Sequence, residues 1–244
     1  MSNNTAFEVY KAIATFSDCY KESRPMPEGD PSGIIVHSTA ANNPNLKRYV
    51  FAPEMAGENI YKNYFGGPNS DDVTPHGVIG KDKDGVVRAV QILPYNICCW
   101  GCGRGVKGSY NYSPAYIQFE MAEDGLTDEN YFEQAFDVAA QYCASLMRAF
   151  PAIKIENVIS HKEAGVRGYA SGHGDPENWL SKFGKDMDWF RGKVSGYLEN
   201  SDDPDTSDTP VKFYRVQVGA FTVRENAEKF LEKLKDAGFD GYIV

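Results

Sequence analysis

The chain has 244 residues, of which 42% are hydrophobic and 13% aromatic, enough for one core of ordinary size or a core with a small appended module. Its formal net charge of -9 argues against nucleic acid, which asks for a basic footprint, and an anionic membrane surface would repel it too. No apolar run approaches the roughly 18 residues of a membrane span, and Met1-Ser2-Asn3-Asn4-Thr5 lacks the basic and apolar regions of a secretory signal. The expectation is therefore a protein made in the cytoplasm that reaches any outside target by another exit.

In chain order, Phe7, Tyr10, Ile13 and Phe16 stand at helical spacing and predict a helix over 7–20. Ile34 to Val36 predicts a short buried strand that ends in His37. Asn42, Asn43 and Pro44 mark a turn into a helix at Leu46 to Tyr49. A hairpin follows, with Gly77 to Gly80 and Val86 to Ile92 on either side of Asp84-Gly85, a strong short-range hairpin signal. Ala115 to Met121 predicts a strand with Gln118 and Glu120 on one face and Ile117 and Phe119 on the other. Asp128 caps a long helix whose apolar stripe is Phe132, Phe136, Ala139, Ala140, Cys143 and Met147, with Pro151 ending it. Asn157 to Ser160 predicts a strand tip that delivers His161, and a last helix is expected around Asp186 to Tyr197. The fold class is α/β, a mixed central β-sheet flanked by helices.

The expected catalytic domain spans 1–198 and an acidic linker 199–211, since Asn200 to Pro210 holds no apolar anchor. Residues 212–244 form a small β-α-β unit: a strand over Phe213 to Phe221, an amphipathic helix from Arg224 to Ala237 and a second strand over Gly241 to Val244. Alone it is too short to bury a core.

Five cysteines, Cys19, Cys98, Cys99, Cys102 and Cys143, are an odd number, with three crowded into one loop. Secreted disulfide frameworks are usually even and spread, so reduced thiols are expected. A zinc knuckle at Cys99-Trp100-Gly101-Cys102 lacks a second ligand pair.

His37, His161 and Asp175 supply two imidazoles and a carboxylate, a ligand set of hydrolytic zinc enzymes that leaves one position open. Both histidines end apolar strands, and Pro176 restricts the backbone of Asp175. Amide hydrolysis also needs a general base and an oxyanion donor. Glu120, sharing a sheet surface with the His37 strand, is the expected base, and His173 the expected donor. Glu163 is expected in solvent at a helix start, or beside Arg167.

Ile35-Val36-His37-Ser38-Thr39, the Asp84-Gly85 hairpin, Trp100-Gly101, Ile117-Gln118-Phe119-Glu120, and Ser160-His161 through Asp175-Pro176 together resemble the zinc-dependent N-acetylmuramoyl-L-alanine amidases. These belong to the type-2 amidase and peptidoglycan-recognition-protein superfamily, and the likeness is nearest to phage endolysins. The resemblance spans roughly residues 30 to 190. It implies Zn2+ on His37, His161 and Asp175, with Glu120 as catalytic glutamate. The bond cut would join N-acetylmuramic acid to the first L-alanine of the stem peptide. It also implies substrate contacts around Trp100, although the family's Trp-His-Ala-Gly segment here reads Trp100-Gly101-Cys102-Gly103, and a substrate-lining place for His76. Host-cell lysis is the implied role. A non-catalytic peptidoglycan-binding protein on the same fold and a zinc peptidase acting within the stem peptide are the alternatives.

Tyr214 to Phe221, Glu225 to Glu228 and Ala237-Gly238-Phe239 resemble a SPOR domain, a module that binds peptidoglycan glycan strands. That family repeats the β-α-β unit, and one copy is present here. Two alternatives stay open for it: a homodimer through the same tail of a second chain, or simple truncation.

Overall fold

In the computed structural model the residues described are 7–199, 218–236 and 243. The chain divides into two compact units, 1–201 and 202–244.

The first unit is built on a six-stranded mixed sheet. Its strands are β1 (Tyr10–Lys11), β2 (Ile34–Ser38), β3 (Gly77–Lys81), β4 (Val87–Gln91), β5 (Ile117–Met121) and β6 (Val158–Ser160), in the spatial order β1-β4-β3-β5-β2-β6. Strands β3, β5, β2 and β6 run parallel, while β3 and β4 form the antiparallel hairpin. The hairpin turn is set by Asp82, whose Oδ1 accepts from the amides of Asp84 and Val86, both at 2.9 Å. Gly85 takes φ 82° there, a left-handed conformation that favours glycine.

Helices α1 (Asp18–Glu22) and α2 (Pro53–Ala56) are short; α3 (Glu129–Ala149) is the longest, and α4 (His161–Arg167), α5 (Glu177–Lys182) and α6 (Met187–Glu199) complete the unit. Asp128 caps α3, its side chain accepting from the Tyr131 amide at 3.1 Å. The stripe of Phe132, Phe136, Ala139, Ala140 and Cys143 lies fully buried against Ile34, Val36, Ile117, Phe119 and Met121 of the sheet. Phe190 and Val194 of α6 and Trp179 of α5 close this core. Each fully buried large side chain contributes roughly 1.5–3 kcal/mol.

Because side chains alternate along a strand, the residues between those core positions face the other way. Ile35 packs there with Tyr110, Tyr116, Ile159 and Ala164. His37, Gln118 and Glu120 are in phase with it, so the same alternation that builds the core sets these three polar groups on the opposite face.

Several expectations change. Residues 7–20 are not one helix: Tyr10–Lys11 is an edge strand paired with β4 and only Asp18–Glu22 is helical. The amides of Ala12 and Ala14 continue that pairing onto Gln91 and Ile92 at 2.9 Å each. Leu46 to Arg48 is a single 3-10 turn. Helices α2 and α5 are additions, and α4 is the helix whose start is expected at Glu163.

In the second unit, α7 (Arg224–Asp236) forms as the amphipathic pattern predicts, with the Phe221 and Phe230 rings 5.5 Å apart. The linker, most of the strand expected at 213–221 and the strand expected at 241–244 lie outside the described residues; 218–221, which are described, form no strand. Among the described residues no helix is long and apolar enough to cross a membrane.

Candidate metal centre and cleft

The centre grows from the carboxyl ends of three parallel strands, where open α/β sheets characteristically place their ligands. In the β2–β5 register His37 stands opposite Glu120, and in β2–β6 Val36 stands opposite Ser160, so His161, the next residue, arrives beside His37. A capping box fixes His161 at the first turn of α4: the Ser160 hydroxyl accepts from the Glu163 amide at 2.9 Å, and the Glu163 carboxylate accepts from the Ser160 amide at 3.0 Å. Glu163 is held in turn by Arg191 of α6, at 3.0 and 3.1 Å. That bidentate pair replaces both solvent and Arg167 as its expected surroundings; Arg167 bonds Asn157 and the Glu156 carbonyl.

Asp175 enters from the loop after α4. Its backbone carbonyl accepts from Lys162 at 3.3 Å, and its Oδ2 accepts from the Ser38 amide at 3.3 Å. The Nδ1 atoms of His37 and His161 lie 3.0 Å apart, and each is 3.4 Å from a different Asp175 oxygen. All three residues are buried, and their donor atoms lie within 4.8 Å of one another. Among the described residues this is the one His/Cys/Asp/Glu group of that kind.

The proton positions follow from the outer partners. His37 Nε2 faces the Gln118 carbonyl oxygen at 3.1 Å and must donate to it. His161 Nε2 faces Ser171 Oγ at 3.3 Å, a hydroxyl that spends its own proton on the Cys102 carbonyl at 3.0 Å. Both rings therefore carry hydrogen on Nε2, which leaves two Nδ1 lone pairs pointed at one spot beside a carboxylate. Two such lone pairs and a carboxylate are a donor set that a cation would satisfy. The residues fit a small divalent metal of the zinc type.

Glu120 is buried, and its Oε2 has no hydrogen-bond partner among the described residues. Burial first, then the charges of Asp175 and Glu123, push it well above the ordinary glutamate value of 4.5. An orphaned carboxyl costs stability, which marks it as a candidate for chemistry. His173 is the opposite case. Its side chain is 59% exposed, its ring lies 4.4 Å from that of His161, and its Nδ1 is 3.9 Å from Asp175. That exposure leaves it facing the open cleft of about 560 Å³ into which Glu120, His161 and Asp175 also look. Arg48, Asn63 and Asp71 give the far wall its polarity.

Of the two expected substrate contacts, His76 lies buried away from the cleft and Trp100 stands next to a residue of its wall. His76 is wholly buried, accepting at Nδ1 from the Gln118 amide at 3.1 Å and donating at Nε2 to the Ile97 carbonyl at 2.9 Å. Burial drops its pKa to about 4. It ties β5 to the 93–97 segment and does not line the cleft. Trp100 is partly buried against Cys19, Leu93, Ile97 and Cys99, and its neighbour Gly101 is the residue that reaches the cleft wall. The cysteines are free thiols, all buried; burial raises Cys99 well above the ordinary 9.0.

Gln118, Asn111 and the Ser38–Glu123 hydrogen bond were not assigned roles by sequence reasoning. The available signal was the polar Gln118 in phase with Glu120 in an otherwise apolar strand.

Fold and site define an α/β protein with a candidate mononuclear metal centre at the carboxyl ends of parallel strands. The family model described as N-acetylmuramoyl-L-alanine amidase matches residues 27–178, more than half of the chain, and the chain belongs to that family of peptidoglycan hydrolases. The SPOR domain model matches residues 206–244. Solved structures share the fold. The PlyG catalytic domain superposes with a TM-score of 0.55 at 24% identity, over 81% of this chain and 99% of that one. PlyL gives 0.54 at 23%, over 77% and 97%. Staphylococcus aureus hydrolase AmiA, solved with its ligand, gives 0.54 at 17%, over 80% and 85%. No curated protein matches the chain in sequence.

Proposed function

We propose that this chain is a zinc-dependent amidase that cuts the bond between N-acetylmuramic acid and the L-alanine of the stem peptide. The observation that carries the reading is the convergence of His37, His161 and Asp175 beside the orphaned Glu120. His37, His161 and Asp175 would hold the metal. Zinc, when bound, supplies Lewis acidity that makes water a nucleophile at neutral pH. Glu120 takes a proton from the attacking water and returns it to the leaving alanine nitrogen as the carbon–nitrogen bond breaks, a role suited to a carboxyl of raised pKa. His173, exposed in the cleft, donates to the oxygen on which negative charge develops.

In this reading residues 1–198 are the catalytic domain, 199–211 a linker and 212–244 a module that holds the enzyme on the glycan, singly or paired with the tail of a second chain. The chain acts as an endolysin, made in the cytoplasm and released to the wall for cell lysis. Active chain in the medium of intact cells that lack any lysis pore would overturn that release route.

Digestion of purified peptidoglycan with and without a chelator, followed by mass spectrometry, tests metal, substrate and bond together. The expected products are intact stem peptides with new L-alanine amino termini, lost with the chelator and restored by zinc. Fragments cut within the stem would make it a peptidase. Bound zinc without turnover would make it a binding protein.

A further inference from the structure

We infer that Asn111 is a positioning residue for the metal centre, fixing through Gln118 which nitrogen of His37 is free to bind metal. The inference rests on the zinc reading above. Asn111 is buried, and its Oδ1 accepts from the backbone amides of Gly101 at 3.2 Å and Cys102 at 3.1 Å. Backbone amides can only donate, so the oxygen of Asn111 is pinned in place. It also accepts from Gln118 Nε2 at 2.9 Å. The amide of Gln118, fully buried, is thereby held with its nitrogen towards Asn111 and its oxygen towards His37 Nε2 at 3.1 Å.

The order of donors is one-way. Gly101 and Cys102 orient Asn111, Asn111 orients Gln118, and Gln118 demands a proton on His37 Nε2, which leaves Nδ1 as the ligand atom. Were Gln118 to flip, its NH2 would face His37 Nε2, and the ring proton would move to Nδ1, inside the metal site. Outer partners of a ligating histidine typically matter by roughly 10- to 100-fold in metal affinity. The relay also explains a glycine: a Cβ at position 101 would collide with Gln118 Oε1. The Trp100-Gly101-Cys102 segment thus acts on the centre from behind, through hydrogen bonds.

The test uses the full chain and zinc itself, measured by competition with a chromophoric chelator. Asn111→Ala frees the Gln118 amide and is expected to weaken zinc binding by roughly 10-fold or more. Asn111→Asp keeps the acceptor oxygen and is expected to stay within about threefold of the parent, whereas Asn111→Leu, which keeps the volume without the oxygen, is expected to lose as much as Asn111→Ala, a loss that a general packing role would not give. Asn111→Ala binding as well as the parent, or Asn111→Asp failing as badly as Asn111→Ala, overturns the relay. Should Asn111→Ala not fold, Gly101→Ala, which displaces the Gln118 oxygen directly, must show the same loss. Long-range 15N NMR of the metal-free parent decides independently of any variant. His37 protonated on Nε2 is expected, and an Nδ1-protonated ring overturns the inference. A parent that binds no zinc sinks the zinc reading, while the NMR result still decides the relay.

Discussion

Glu120 shows how one side chain carries opposite demands. Burial and two carboxylate neighbours lift its pKa, so the folded metal-free state holds a proton that the unfolded chain releases near the ordinary 4.5. The folded state then binds more protons, and stability from this group falls as pH rises above 4.5 towards the folded value. Glu120→Gln, which does not titrate, should therefore make the Tm of the metal-free protein fall less steeply as pH rises above 4.5, while abolishing release of L-alanine amino termini and leaving zinc bound. Unchanged turnover in that variant removes Glu120 as the base. His76 runs the other way. Its folded pKa near 4 lies below the ordinary 6.5, so its contribution is present above 6.5 and is lost as pH falls from there towards 4. Its ring resonances should not titrate between pH 8 and pH 5.5, and a midpoint near 6.5 would contradict the burial that takes it out of the cleft.

At the scale of elements, α4 is the hinge between fold and site. The capping box of Ser160 and Glu163 holds the first turn, and Ser160 Oγ also donates to Glu177 of α5 at 2.6 Å. Ser160→Ala should cost about 1 kcal/mol and weaken zinc binding through His161, seen as a lower Tm together with a raised Kd. A lowered Tm with unchanged Kd would confine Ser160 to the helix start. The sequence pattern Ser160-His161-Lys162-Glu163 marks a helix start, but that Glu163 closes a capping box and pairs with Arg191 depends on packing against α6. Strands β2, β3, β4, β5 and helix α3 were legible because each pairs a clean hydrophobic period with a turn or cap. Residues 7–20 misled because Phe7, Tyr10, Ile13 and Phe16 satisfy a helical period while the backbone is taken by the edge of β4; pairing outweighed a weak propensity. The donors His37, His161 and Asp175 could be named from residue type and position, but their shared focus depends on strand register, which long-range pairing decides. Gln118 and Asn111 were hidden for the same reason.

Across the whole first unit, the centre joins segments distant in the chain: His37 and His161 stand 124 positions apart. An unfolded chain cannot present them together, so metal binds the folded state and stabilises it by mass action. At zinc 100-fold above its Kd the gain is about 2.7 kcal/mol, roughly 5–10 °C in Tm for a unit of this size. A chelator should lower the melting transition of residues 1–201 by that amount and zinc should restore it. An unmoved Tm would mean that no metal bridges β2 to the 161–175 segment.

The five buried thiols give the molecule an internal clock. A thiol reagent attacks only the thiolate of an exposed cysteine, so labelling must wait for the protein to open. Cys143 sits in the α3 core, whereas Cys102 sits against Asn111 and Gln118 behind the metal centre. Their two labelling rates would report separately on global unfolding and on local opening behind the site. Zinc should slow both, and the ratio between them would say which part of the protein yields first.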